Sequence, residues 1–173
     1  EVFRTQLNRE ATEEDCQRIY ARKSDFFVSL GSAREMPDVD KVLATVRNSD
    51  LQCFIVTGSG QQSLLDKLNH SFPGIFCKER MVTAFDVKKG KPAPEPYLMA
   101  LKKGNLTANQ AIVVENAPMG VRSAKAAGLL TIAVNTGILR DEELSKEGAD
   151  IIYSSMKDLL LDLPQIISYA HKY

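Results

Sequence analysis

The sequence predicts an α/β chain, with a Rossmann-like parallel sheet covered by helices and preceded by a helical segment. Three observations predict it. Short, continuous apolar runs rich in β-branched residues recur after residue 50, as in strands buried on both faces. Stretches with helical spacing separate those runs. The residues before 50 are helical in pattern. Strand alternating with helix implies βαβ crossovers and a parallel sheet.

Taken in order, Thr12-Glu13-Glu14-Asp15 reads as an N-cap followed by an acidic first turn, suited to the positive end of a helix. Ile19, Phe26, Phe27 and Leu30 then recur at helical spacing, and Gly31 is the expected C-cap. Pro37 opens a second helix carrying Val39, Val42, Leu43 and Val46. Five strands follow, at residues 53–56, 81–85, 111–114, 131–134 and 151–153. Helical patterns at 61–70, 94–103, 118–127 and 156–163 separate or follow them, with Gly or Pro at most junctions.

Composition narrows the class. Of 173 residues, 44% are hydrophobic and 25% charged, which excludes a disordered chain, a coiled coil and a collagen-like repeat. Twenty-two basic residues balance 22 acidic ones, so charge gives no reason for a nucleic-acid or membrane-surface partner. No apolar run approaches the roughly 20 residues of a bilayer span. Cys16, Cys53 and Cys77 are an odd number without metal-site spacing, and His70 and His171 are too few for a His cluster. A reduced, cytoplasmic protein is the simpler reading.

Ligands of such sheets bind beyond the carboxyl ends of the strands, so three loops are the candidates. Thr57-Gly58-Ser59-Gly60-Gln61-Gln62-Ser63 follows a strand and opens a helix. A hydroxyl beside backbone N–H groups there suits a phosphate. The loop is equally a plain tight turn, or a near miss to Gly-x-Gly-x-x-Gly with Ser63 in third place and Glu79 near the ribose-binding position. Lys88-Lys89-Gly90-Lys91-Pro92-Ala93-Pro94 is basic. Lys88 and Lys89 read as a solvated turn, whereas Lys91, between rigid neighbours, is a point charge suited to phosphate. Glu115-Asn116 ends an otherwise apolar strand. Hard oxygen donors at that point suit Mg²⁺, and Asn116 could equally cap the helix after Pro118.

The order of these loops resembles the haloacid-dehalogenase superfamily of phosphohydrolases and phosphotransferases. Thr57, Lys91 and Glu115-Asn116 match its second, third and fourth motifs. Gly90 to Tyr97 and Val114 to Gly128 look like the β-phosphoglucomutase-like branch. The resemblance implies a partial helical cap at residues 1–48 and an α/β core at 49–173. It also implies an aspartate that attacks phosphorus, a second aspartate two residues later as general acid and base, and Mg²⁺. Carried over, Thr57 bonds a phosphoryl oxygen, with Gly58 and Ser59 beside it. Lys91 neutralises charge, and Asn116 and Glu115 hold the metal. Arg22-Lys23-Ser24-Asp25 resembles the stretch that holds the sugar phosphate, so Lys23 and Ser24 are candidate substrate residues. Their alternative is an ordinary charged helix face.

Two departures stand out. No Asp-x-Asp-Gly run exists in these 173 residues: Asp38-Val39-Asp40 lacks the glycine, and Asp86 lacks a second acid. The core would therefore lack its first, central strand, leaving two strand edges unpaired. The expectation is a missing N-terminal segment of the same protein, without which the chain is inactive. Asn116 also stands where the family usually has aspartate. The function expected is Mg²⁺-dependent phosphoryl transfer on a small phosphorylated sugar, by a β-phosphoglucomutase-like phosphomutase. The alternatives are a sugar-phosphate phosphatase, a dinucleotide-binding domain built on Gly58 and Gly60, and a non-catalytic fragment.

Overall fold

A computed structural model describes residues 7–29, 34–59 and 63–170. Leu30, the expected cap Gly31, Gly60, Gln61 and Gln62 lie outside the described residues, as do the side chains of Ser24, Phe27 and Ser63. Contacts divide the chain into two units, Glu1–Glu35 and Met36–Tyr173.

The first unit holds helix α1, Glu13–Ser29. Its start is a reciprocal box: the Asp15 N–H donates to Thr12 Oγ1 (3.1 Å) and the Thr12 N–H donates to Asp15 Oδ2 (3.0 Å). Two orphan donors of the helix end are thereby satisfied. Arg9 and Arg18 both reach the same Asp15 carboxylate. Ile19, Tyr20 and Phe26 of this helix are exposed.

In the second unit, α2 (Val39–Arg47) precedes strand β1 (Ile55–Val56), α3 (Ser63–Ser71) and β2 (Met81–Val82). Then come α4 (Glu95–Gly104), β3 (Ile112–Glu115), α5 (Pro118–Ala126), β4 (Leu130–Val134), α6 (Asp141–Lys146), β5 (Ile151–Tyr153) and α7 (Met156–Ala170). Every strand pairing is parallel, in two sheets ordered β1-β2 and β3-β4-β5. Strand β4 is central in its sheet, and four of its five residues are buried. Among the described residues, β1 and β3 are not hydrogen-bonded to each other.

Helices cover both faces of the larger sheet. On one face Ile132 and Val134 pack with Val42 of α2 and Met156, Leu159 and Leu163 of α7. On the other, Val113 packs with Tyr97, Leu101, Ala124 and Leu129. Alternation along β3 thus separates Val113 from Val114, which is 47% exposed. Helix α2, expected with the cap, is packed on α7 in the larger unit.

Two local expectations are corrected, and one further helix is present. The run at 81–85 is a strand only to Val82, because Asp86 hooks back: its Oδ2 accepts the Thr83 N–H and Thr83 Oγ1–H, both at 2.8 Å. A side chain that bonds nearby backbone competes with the ladder. Helix α7 runs past Leu163 and through Pro164 to Ala170. Burial of Ile166 and Ile167 against the core offsets the one helix bond that proline removes. Helix α6 has no periodic apolar signal; it is held by Leu144, which is fully buried.

Candidate functional site

The carboxyl ends of β1 and β3 meet at Lys91. Its Nζ donates to the Val56 carbonyl of β1 (3.0 Å) and to the Glu115 carboxylate at the end of β3. The loop carrying Lys91 is anchored from two sides. Glu95 accepts the backbone N–H groups of Lys88 (2.7 Å) and Lys89 (2.9 Å). Ser123, fully buried on α5, donates through Oγ to the Ala93 carbonyl. The Lys91–Pro92 bond is cis.

Glu115 is surrounded by donors. Oε1 accepts from Lys91 Nζ and from the Tyr97 hydroxyl (2.7 Å). Oε2 accepts the backbone N–H groups of Asn116 (3.1 Å) and Ala117 (3.4 Å) at the start of α5. A carboxylate placed at a helix N-terminus also gains from the helix dipole. Gly120 makes the room: a Cβ there would fall on the Glu115 carboxylate. Burial alone would raise the Glu115 carboxyl; the bond and charge of Lys91, with Tyr97 and Asn116, outweigh it and hold it below the ordinary value. For Tyr97, burial first and the adjacent Glu115 second push the phenol far above its ordinary value, so it stays a proton donor. Its ring also lies 4.9 Å from Lys91 Nζ, a cation–π distance.

The second-motif residues sit beside this cluster in the chain. Thr57 extends β1, its N–H donating to the Val82 carbonyl (2.9 Å), and its Oγ1 accepts the Ser59 N–H (3.0 Å). Around Gly58 there is open space, with nothing within 4 Å of a Cβ. Lys23 is exposed on α1 of the first unit, and the side chain of Ser24 is outside the described residues. The structure thus brings Lys91 and Glu115 together, with Asn116 next to them. Sequence reasoning singled out neither Tyr97, Gly120 nor Ser123. The one signal for Tyr97 was that a buried phenol needs a polar partner.

Among the described residues no group of three or more His, Cys, Asp or Glu side chains is placed to hold a metal. The donor chemistry nevertheless fits part of a Mg²⁺ site. Asn116 is exposed at the end of β3, beside a Glu115 carboxylate already held by Lys91, Tyr97 and two backbone N–H groups. Mg²⁺ commonly takes one or two such protein oxygens, the rest coming from phosphate and water. A cleft of about 210 Å³ opens beside Asn116, between Met36, Val114, Val134 and Met156. No helix among the described residues is long and apolar enough to cross a membrane.

Comparison with known proteins agrees with this geometry. The haloacid dehalogenase-like hydrolase model matches residues 1–134. Hexitol phosphatase A of Escherichia coli is 37% identical over 100 residues, covering 58% of this chain and 45% of that protein. Validoxylamine A 7'-phosphate phosphatase of Streptomyces hygroscopicus subsp. limoneus is 42% identical over 104 residues, covering 60% and 46%. The chain thus spans about half the length of these curated relatives. A solved Bacteroides vulgatus structure, provisionally named as a beta-phosphoglucomutase, superimposes with a TM-score of 0.92 at 49% identity, over 99% of this chain and 69% of that one. With Lys91 bridging two parallel strand ends and three-quarters of the chain matched, the protein belongs to the haloacid dehalogenase-like hydrolase family.

Proposed function

We propose that this chain is part of a Mg²⁺-dependent phosphomutase acting on a small phosphorylated sugar. The observation that carries the reading is the placement of Lys91. An ammonium has three N–H donors; two are taken by Val56 and Glu115, and the third is available to a phosphoryl oxygen. That is a positioned charge at the mouth of a strand end, the device phosphoryl transfer most needs. Thr57, one residue beyond Val56, is the candidate second donor to phosphoryl oxygen. Lys23 and Ser24 are candidates for the distal part of the sugar phosphate. Asn116 and Glu115 would hold Mg²⁺, which when bound neutralises phosphoryl charge.

In this reading an aspartate oxygen forms a bond to phosphorus and the bond from phosphorus to the sugar oxygen breaks. A second aspartate gives its proton to that departing oxygen; another hydroxyl of the sugar then takes the phosphoryl group from the first aspartate, and its proton returns to the second. Both aspartates would come from a segment of the same protein outside these 173 residues, entering between β1 and β3. The chain without it would be inactive. Whatever the aspartates do, Lys91 holds its charge fixed through the step, and the fully buried Ser123 keeps its loop from yielding.

A phosphatase is the second reading, favoured by the names of the two curated relatives above. The experiment is ³¹P NMR of the intact protein with Mg²⁺ and a panel of hexose 1-phosphates. A hexose 6-phosphate product supports the mutase and inorganic phosphate supports the phosphatase; neither product would overturn both. Lys91→Ala should lower turnover by about 10²–10³-fold, as loss of a positioned charge does.

A further inference from the structure

We propose that Tyr97 is a positioning residue of this site, holding Lys91 and Glu115 in the one arrangement that aims the third Lys91 N–H at a phosphoryl oxygen. The inference rests on the phosphoryl-transfer reading above. Tyr97 is 5% exposed and lies in the first turns of α4, among Leu101, Val113, Ala124 and Leu129. Such packing fixes the ring. The fixed ring then does two things at once. Its hydroxyl donates to Glu115 Oε1, the same oxygen that accepts from Lys91. Its face lies against the Lys91 ammonium, 4.9 Å from Nζ to the ring centre.

The geometry has a direct consequence. A lysine on four methylenes has many rotamers, and a lone carboxylate partner would let the ammonium swing about it. Here the ammonium has three fixed neighbours: the Val56 carbonyl, the Glu115 carboxylate and the Tyr97 ring. The Tyr97 hydroxyl also shares the negative charge of Oε1, so Glu115 orients Lys91 without neutralising it outright. Tyr97 does not touch substrate in this scheme; it acts through Lys91. A phenylalanine would keep the packing and the ring face while losing the hydroxyl, which separates positioning from folding.

The test uses the intact protein with Tyr97→Phe, Tyr97→Leu and Lys91→Ala. Tyr97→Phe should lower kcat about 10-fold, the factor that one lost hydrogen bond to a charged group is worth, with KM within about twofold; Tyr97→Leu should lower it further. Lysine labelled with ¹³C supplies a readout without substrate. The two ε protons of an immobilised Lys91 have distinct shifts, and in Tyr97→Phe they should merge while the amide spectrum elsewhere is retained. A Tyr97→Phe enzyme with unchanged kcat and distinct Lys91 ε protons would overturn the proposal while leaving the function intact. Lys91→Ala with normal turnover would overturn the functional reading itself, and this proposal with it. A double-mutant cycle with Glu115→Gln is the second test: the proposal requires that Tyr97→Phe cost less than about twofold once Glu115 is neutralised, and full additivity refutes it.

Discussion

Gly120→Ala should destabilise the protein, although alanine is the better helix former. Gly120 lies in the first turn of α5, where replacing glycine by alanine normally gains about 1 kcal/mol. Here the added Cβ would occupy the space of the Glu115 carboxylate, so the carboxylate must leave. Two losses follow. The Tyr97 hydroxyl, on a residue 5% exposed, is left without its acceptor, at about 1–3 kcal/mol. Lys91 loses its carboxylate where the two side chains are only 18% and 11% exposed, at about 1.5–3 kcal/mol for a charged hydrogen bond. Set against the helix gain, the net loss is about 1.5–5 kcal/mol. Urea denaturation of the intact protein measures it. A Gly120→Ala protein as stable as the parent, or more so, would refute the packing argument, since it would mean the carboxylate is free to move.

Two further outcomes are expected. The hydrogen bonds of Lys103 and then of the Thr83 N–H and hydroxyl lower the Asp86 carboxyl from 3.8 to about 2. A folded-state pKa below the unfolded one gives stability that is present above pH about 4 and is lost as pH falls toward 2. The stability gap between the parent and Asp86→Asn should therefore be constant above pH about 4 and narrow below it; urea midpoints from pH 2 to 6 that keep a constant gap throughout would refute it. Asn116→Asp adds a charge beside a candidate cation site and should tighten Mg²⁺ binding to the intact protein by calorimetry; unchanged or weaker binding would sink the assignment of Asn116 as a ligand.

Much of the fold was legible because β3, β4 and β5 are written as mostly apolar runs, and β4, central in its sheet, is buried at four of its five residues. Legibility failed where a single side chain decides the local structure. Asp86 ends β2 early by capturing Thr83, and a run of β-formers does not show that hook. Helix α6 is six residues, mostly charged, and depends on one buried Leu144. In the site, Lys91 and Glu115 could be read because each follows or ends a strand. Tyr97 could not: in sequence it is one more apolar member of the α4 face, and its hydroxyl bond spans 18 positions. Gly120 looks like an ordinary helix glycine until the carboxylate it accommodates is in place.

The balance of charge at the strand ends explains why Asn116 matters more than its size suggests. Lys91 and Glu115 form a partly buried pair whose formal charges sum to zero, although the ammonium still directs an N–H outward, and Asn116 adds no charge. With aspartate at 116 the described cluster would be net negative, and a phosphoryl group would enter against a larger opposing field unless a cation were bound. With asparagine it is neutral, and the directed Lys91 N–H attracts the phosphoryl oxygens with less opposing field. Were Asn116 to hold Mg²⁺ as proposed, the cost would fall on the metal, which would lose a formal negative charge from its ligand set. Phosphate and Mg²⁺ would then bind with strong mutual dependence: the cation is held largely by the phosphoryl oxygens it arrives with, and the order of binding shifts from metal first toward metal and phosphate together. Inorganic phosphate should accordingly raise Mg²⁺ affinity by a larger factor in the parent than in Asn116→Asp, and equal factors in the two proteins would contradict this account of the site.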